Sequence, residues 1–413
     1  MKYKLSELAF YSTEKIEIDK VDESNYISTE NILPNKSGIC IADKLPQIKK
    51  VNAYKNGDIL ISNIRPYFKK IWFANRDGGH SADVLNFRAK EGVSNRFLYA
   101  LLFQDIFFNQ MMLSSKGTKM PRGDKNAIMN LEFEVPSYNK QEKIGDILFC
   151  FQDKIELNNQ IISNLEELAS TLFKRWFVDF EFPDENGTPY KSSGGKMVDS
   201  ELGEIPESFS VENFGSHIKY MSKGTTPTKK DLLSSKSIKN VKYLKVKDIP
   251  SVGMINYKNL EEIPEDVHEK QLKRSALKKG DIILSIAGTI GRVNIISSET
   301  ELNTNQAVSF IRLNEERFQY YYLQLLKSKY YQQILHKKIV QAVQANLSLS
   351  EIKKMKIVVP PKEVISSFTI VIDNLYSNII STDREKNNLE ELRDLLLPKL
   401  LSGEIELPED EEV

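Results

Sequence analysis

The chain has 413 residues, 40% hydrophobic and 28% charged, with a mean hydropathy of -0.38. That excludes a single small module and a disordered chain, and at roughly 100 to 200 residues per domain it predicts several folded units. Basic and acidic residues balance at 57 each, yet six acids lie in the last ten residues, so the remainder is mildly basic at +6.

In chain order, the first region is mixed, with strand-like alternation at Asp58 to Ser62 after a Gly57-Asp58 turn, then a basic cluster from Arg65 to Lys70 that includes Lys69. An amphipathic helix is expected near Asn95 to Met112, followed by a polar loop, Ser114 to Asn126, carrying Lys116, Thr118, Lys119 and Arg122. A short apolar strand then closes at Val135-Pro136, since proline stops regular structure. Beyond it a long helix shows the 3-4 apolar spacing of a coiled-coil seam: Ile144, Leu148, Phe151, Ile155, Asn158, Ile162, Leu165, Ala169, Leu172, Trp176. Phe180 to Pro206, rich in Gly, Ser, Pro and charge, is a linker or a hairpin extension.

From there the chain reads a second time. Lys55-Asn56-Gly57-Asp58-Ile59-Leu60 returns as Lys278-Lys279-Gly280-Asp281-Ile282-Ile283, an offset of 223. Phe133 to Pro136 returns as Ile357 to Pro360, and Asn164-Leu165-Glu166-Glu167-Leu168 as Asn388-Leu389-Glu390-Glu391-Leu392, both at an offset of 224. Matches so closely spaced identify a tandem duplication, a pseudo-dimer on one chain. The second half adds a lysine cluster from Lys236 to Lys247, a strand near Asp281 to Ile286, a helix near Glu315 to Lys338 and a polar loop from Val340 to Ser350. Its long helix carries the seam Phe368, Ile372, Leu375, Ile379, Thr382, Lys386, Leu389, Arg393, Leu396, Leu400. Asn158 and Thr382 interrupt the two seams at matching positions, which favours pairing of the helices within one chain over two unconnected core helices.

No catalytic motif stands out in the sequence. Cys40 and Cys150 are too few for a disulfide framework or a cysteine metal site, and His80, His217, His268 and His336 stand singly, so no metal site is expected. No P-loop or nucleophile elbow occurs, and Gly288-Thr289-Ile290-Gly291 is better read as a tight turn beside a strand than as a phosphate loop. Glu351-Ile352-Lys353 could form half of a nuclease carboxylate-lysine pair, but no second acid is placed to share a metal. With no apolar N-terminal region and no stretch near about 18 uninterrupted apolar residues, neither a secretory leader nor a membrane span is expected, and the natural compartment is the cytoplasm.

The polar loops suit nucleic acid. Lysine and arginine bind phosphate or guanine, while glutamine and asparagine can pair with adenine in the major groove. The first loop offers Lys116, Thr118, Lys119 and Arg122, and the second, at the equivalent position, offers Gln341, Gln344, Asn346 and Ser348. A helix of about 35 to 40 residues spans roughly 50 to 60 Å, longer than one ~34 to 36 Å turn of B-DNA, so two domains at its ends could contact separate DNA segments.

In these features the chain resembles the specificity (DNA-recognition) subunit of type I restriction-modification systems. The resemblance is carried by Leu172-Phe173-Lys174-Arg175-Trp176-Phe177-Val178-Asp179-Phe180, by Leu395-Leu396-Leu397-Pro398-Lys399-Leu400-Leu401-Ser402-Gly403-Glu404-Ile405, by Gly288 to Gly291, by Asn305-Gln306-Ala307-Val308 and by Asn346-Leu347-Ser348. The first half departs from the pattern, with Ser62-Asn63-Ile64-Arg65 in place of the Gly-Thr-Ile-Gly turn and Lys119-Met120-Pro121-Arg122 in place of the Gln/Asn-rich loop.

The resemblance implies an α+β architecture: two tandem globular target recognition domains, each followed by a long helix, the helices pairing as an antiparallel coiled coil. The boundaries are 1–138 for the first recognition domain, 139–178 for its spacer helix, 179–210 for the linker, 211–361 for the second domain, 362–402 for the second helix and 403–413 for an acidic tail. It further implies a non-catalytic chain that binds a bipartite, asymmetric sequence in double-stranded DNA. Two methyltransferase subunits, which bind S-adenosylmethionine, and restriction subunits, which use ATP and Mg and act as translocase and nuclease, would assemble on it, and no cofactor would bind this chain. Arg65, Lys69, Thr289, Arg292 and Gln306 join the loop residues as DNA contacts, and Trp176, Phe177 and Leu400 are placed either at partner docking or in the core at the helix ends. The competing readings are a coiled-coil scaffold without DNA recognition, whose loops would have no reason to be rich in Lys, Arg, Gln and Asn, and a nuclease with a composite site, which needs an acid cluster that the sequence does not display.

Overall fold

The computed structural model of the chain describes residues 2–117, 119–340 and 347–407. It separates into two compact units, Met1–Ile155 with Asn388–Val413, and Glu156–Asn387. The division is not collinear with the chain. The first unit contains the start of the first long helix, Tyr138–Phe177, and the end of the second, Lys362–Ser402, while the second unit contains the complementary pieces.

At the centre of the first unit is a four-stranded antiparallel sheet in the order Ala9–Tyr11, Val84–Ala89, Ile59–Ser62, Ile71–Phe73. The second unit repeats it with Ile218–Lys223, Val308–Leu313, Ile282–Ser285, Val293–Ile295. Register is conserved between the copies, with Ile59 opposite Phe87 and Ile282 opposite Ile311. Ile59–Ser62 and Ile282–Ser285 are buried at every position rather than at alternate ones, because each is a central strand covered on both faces. A second sheet differs between the copies. Lys15–Glu17, Lys50–Tyr54, Gly78–His80 and Tyr26–Ile27 form four strands in the first unit, whereas the second has Glu261–Pro264, Asn240–Leu244 and Leu302–Thr304. The equivalent of Lys50–Tyr54 is reduced there to the single bridge Leu277 to Leu302.

Each amphipathic helix expected after the sheet is in fact two. Asn95–Phe103 and Asp105–Leu113 break at Gln104, and Gln319–Lys327 and Lys329–Val340 break at Ser328, 224 residues later, with nearly the same extended backbone at both breaks. The reason is local. Gln104 Nε2 donates to the carbonyl of Leu101 (3.3 Å) and Ser328 Oγ to that of Leu325 (2.7 Å), closing the first helix onto a side chain three residues on.

The long helices meet within each unit, and in the second the two contacts run in opposite senses along them. Gln152 accepts from Arg393 (3.1 Å) in the first, and in the second Asn158 Nδ2 donates to Glu385 (3.0 Å) and Trp176 lies 5.7 Å from the Phe368 ring. Asn158 is fully buried and Thr382 only half-buried; at that point of the second helix its neighbour Asp383 is buried instead. Trp176 (7% exposed) and Phe177 (5%) pack with Phe173, Tyr321 and Phe368 in the core of the second unit, and Leu400 (7%) sits with Leu397 in that of the first. Leu397 and Leu400 are the repeat equivalents of Phe173 and Trp176, so each helix end fills the same place in its unit. Buried in this way, Trp176, Phe177 and Leu400 offer no free surface in the chain; they hold the helix ends down through apolar area, aromatic at the first end and aliphatic at the second.

Phe180 to Pro206 is a hairpin extension. Met197–Ser200 pairs with Gly203–Pro206, and Phe182 stacks on Tyr190 and Phe209. Lys362–Ser402, in contrast to the sequence expectation, contains a window with mean hydropathy 1.2, apolar enough by length and composition to cross a membrane. Ile365, Phe368, Ile372, Tyr376 and Ile379 of that helix are buried in the core of the second unit.

Candidate nucleic-acid interface

Both units fix their Gly-Asp turn in the same way. Gly57 and Gly280 adopt positive φ (88° and 86°), which a side chain would resist, and the following aspartate turns inward. Asp58 accepts from the Lys55 amide (2.8 Å) and from Arg88 in a two-point pair (2.7 and 2.8 Å). Asp281 does the same with the Lys278 amide (2.7 Å) and Arg312 (2.8 and 2.6 Å). Sequence reading passed over both arginines, although their spacing of 224 carries the repeat signal.

The turn launches the central strand, and the strand delivers a loop to the surface. In the first unit the polar loop folds back against that exit: Lys116 and Arg122 exchange backbone bonds (3.0 and 3.1 Å), the Arg65 amide donates to Pro121 (2.8 Å), and the Gly123 amide donates to Asn63 (3.3 Å). In the second unit the Leu347 amide donates to Ile286 (3.1 Å), and Leu347 and Ile286 are the repeat equivalents of Gly123 and Asn63. Each polar loop is thus stitched to the strand exit by one shared bond, which brings together segments about sixty residues apart in sequence.

The expected contact residues sort as follows. Lys116 (83% exposed) reaches Asp124 (2.7 Å), and Arg122 reaches Asp83 (3.2 Å). Exposed pairs of this kind contribute little, so the cations can exchange their partners for phosphate. Lys119 is exposed, and Lys69 pairs with Asp105 at 2.6 Å. Asn63 Oδ1 and Arg65 Nε are buried without hydrogen-bond partners among the described residues. In the second unit Thr289 and Gln306 are exposed, the latter accepting from Thr226 Oγ1. Arg292 is a correction: it is half-buried and its guanidinium donates to the carbonyls of Ile249 (2.9 Å) and Val246 (3.5 Å), so it ties the turn to the neighbouring segment instead of facing outward. Ser348 is exposed and starts the short helix Leu349–Lys353, as Asp124 starts Lys125–Met129. Thr118, Gln341, Gln344 and Asn346 lie outside the described residues. Gly288 and Gly291 have φ of 72° and 90°, and Ser285 Oγ donates to Thr289 (2.6 Å) and accepts from the Arg292 amide (2.8 Å), a tight turn beside a strand.

Among the described residues no group of three or more His, Cys, Asp and Glu is placed to hold a metal ion. Burial pushes the His80 imidazole down to about 4, which keeps it neutral inside the first unit.

A family model described as the type I restriction modification DNA specificity domain matches residues 2–167 and 206–391. The chain belongs to this family. Its two matched segments carry the two loop-and-strand assemblies just described, one target recognition domain each. Among curated relatives, the type I restriction enzyme HindI specificity subunit of Haemophilus influenzae is 27% identical over 466 aligned positions, covering 98% of this chain and 99% of its own. The MjaIX specificity subunit of Methanocaldococcus jannaschii is 27% identical, with 94% and 86% covered. Of the solved structures, the type I restriction-modification S subunit of M. genitalium superposes with a TM-score of 0.57 at 14% identity over 99% of this chain and 96% of its own, a likeness of fold.

Proposed function

We propose that this specificity subunit reads a bipartite, asymmetric sequence in double-stranded DNA, one segment with each recognition domain, and that it does so without catalysis of its own. The observation that carries the reading is the shared stitch of loop to strand at Gly123 and Leu347, which sets two chemically different loops on the same frame. One is rich in Lys and Arg, the other in Gln and Asn, so the bases selected by the two should be unrelated. Methyltransferase and restriction subunits would assemble on the chain in the cytoplasm, the former supplying S-adenosylmethionine and the latter ATP with Mg. Copurification with such subunits followed by mapping of methylated adenines tests this. An asymmetric site with a fixed gap is expected, and recovery of a perfect palindrome would overturn it.

The long helices, of 40 and 41 residues, act in this reading as an antiparallel coiled-coil spacer. Support comes from the seam spacing, from the opposed contacts in the second unit, and from Asn158, a buried asparagine of the kind that sets register. The boundary between the units crosses the first helix at Ile155 to Glu156 and the second at Asn387 to Asn388. Inserting one heptad at each of these points keeps the register and every contact within a unit, while lengthening the spacer by about 10 Å, or about three base pairs. Methylation mapping of that variant should return the same two segments with a wider gap. Altered bases at an unchanged gap would mean that the helices take part in readout.

A further inference from the structure

Four of the five non-glycine residues with positive φ among the described residues gather in one place: Asn35 (55°), Lys36 (61°), Arg65 (51°) and Lys69 (49°). L-residues resist this conformation, and where several persist together the surroundings must hold them there. They do so here. The turn Pro66–Phe68 lies between Arg65 and Lys69, and its rear is bonded to the other strained pair, with the Asn35 amide donating to Phe68 (2.8 Å) and the Lys36 amide to Lys69 (3.0 Å). Asp105 then clamps both lysines, at 2.7 Å to Lys36 and 2.6 Å to Lys69.

All this fixing presents two aromatic rings to solvent. Tyr67 is 48% exposed and Phe68 38% exposed, with their centroids 4.6 Å apart. The neighbouring turn, joined through the Arg65 to Pro121 bond, adds exposed Met120 and the cations Lys119 and Arg122. Exposed aromatic rings carried on a fixed backbone turn beside positive charge are complementary to a duplex, whose phosphates meet the cations while a ring enters between bases. The equivalent turn of the second unit, Gly288 to Gly291, adopts positive φ with glycines and has no aromatic residue.

We propose that Tyr67, backed by Phe68, is an aromatic wedge that enters one base step of the segment read by the first recognition domain and unstacks it, with no counterpart in the second. This rests on the DNA-recognition reading above. The test uses the full chain and duplexes bearing its mapped methylation site, with 2-aminopurine replacing one adenine at a time outside the methylated positions. Unstacking relieves the quenching of that probe, so a several-fold rise in fluorescence is expected at one step in one segment only. Tyr67→Ala with Phe68→Ala should abolish the rise, Tyr67→Leu should keep it, and the salt dependence of binding should not change because the cations remain. A wild-type chain that binds the mapped duplex with no rise, or a rise that survives the double alanine variant, overturns the wedge and leaves DNA recognition standing. Binding no tighter than to a scrambled duplex would overturn both.

Discussion

Replacing Ile162 with Asp is expected to lower stability by about 4 kcal/mol or more. Ile162 is 1% exposed and sits on the first long helix in the core of the second unit. Gly253 approaches so closely that a methyl group there would stand 3.0 Å from Asp383 and 3.7 Å from Ile162. Asp383 is itself buried and already engaged by Lys386 (2.8 Å) and Asn387 (3.0 Å). A carboxylate at position 162 would therefore be desolvated with no cation assigned to it and a like charge nearby. Ile162→Val, which removes one methylene, should cost only about 0.5 to 1.5 kcal/mol. Chemical denaturation of the two variants measures the contrast, and a change within about 0.5 kcal/mol for Ile162→Asp would contradict the packing.

The second large effect is expected at the duplicated aspartates. Asp58→Ala removes the acceptor for the Lys55 amide, for Asn86 (2.9 Å) and for Nε and Nη2 of Arg88, and Asp281→Ala removes that for the Lys278 amide and for Nε and Nη2 of Arg312. Breaking a buried ion pair from one side costs about 3 to 5 kcal/mol, chiefly because the remaining charge keeps its desolvation without its partner. Arg88 and Arg312 are 20% and 26% exposed and relax partly toward water, which places the expected loss at the lower end of that range. Both variants should lose stability, but not equally, since Arg88 keeps its pair with Glu14 (2.8 Å) and Asp58 also accepts from Asn86. Equilibrium unfolding of each single variant, and of Asp58→Asn as a shape-preserving control, would show it. A loss below about 1 kcal/mol at either position would mean that the pair is not what holds the turn.

The duplication was open to reading because it leaves identical local chemistry at a fixed spacing: glycine and aspartate at 57–58 and 280–281, the closing prolines at 136 and 360, and the Asn-Leu-Glu-Glu-Leu runs. Local rules are legible wherever one residue type is required by its own backbone, as Gly57 and Gly280 are. The helix breaks were missed because Gln104 and Ser328 are ordinary helix-compatible residues, and only a bond back to the i−3 carbonyl reveals that each ends a helix. Arg292 was misplaced for a related reason: its charge is visible in sequence, but the carbonyls of Val246 and Ile249 that take it inward come from a segment more than forty residues away.

The plan is written locally along the chain: two copies of an α+β unit, two long amphipathic helices, and two polar loops of unlike chemistry. These follow from periodicity, turn residues and composition, all of which act within a few residues. The tertiary structure alone decided which helix end completes which unit, so that Trp176 and Phe177 became core and not a docking surface, and it alone gathered Asn35 and Lys36 behind Tyr67 and Phe68. Such pairings depend on contacts between residues far apart along the chain, where burial of apolar area and the need to satisfy each backbone amide choose among partners that local pattern leaves equivalent.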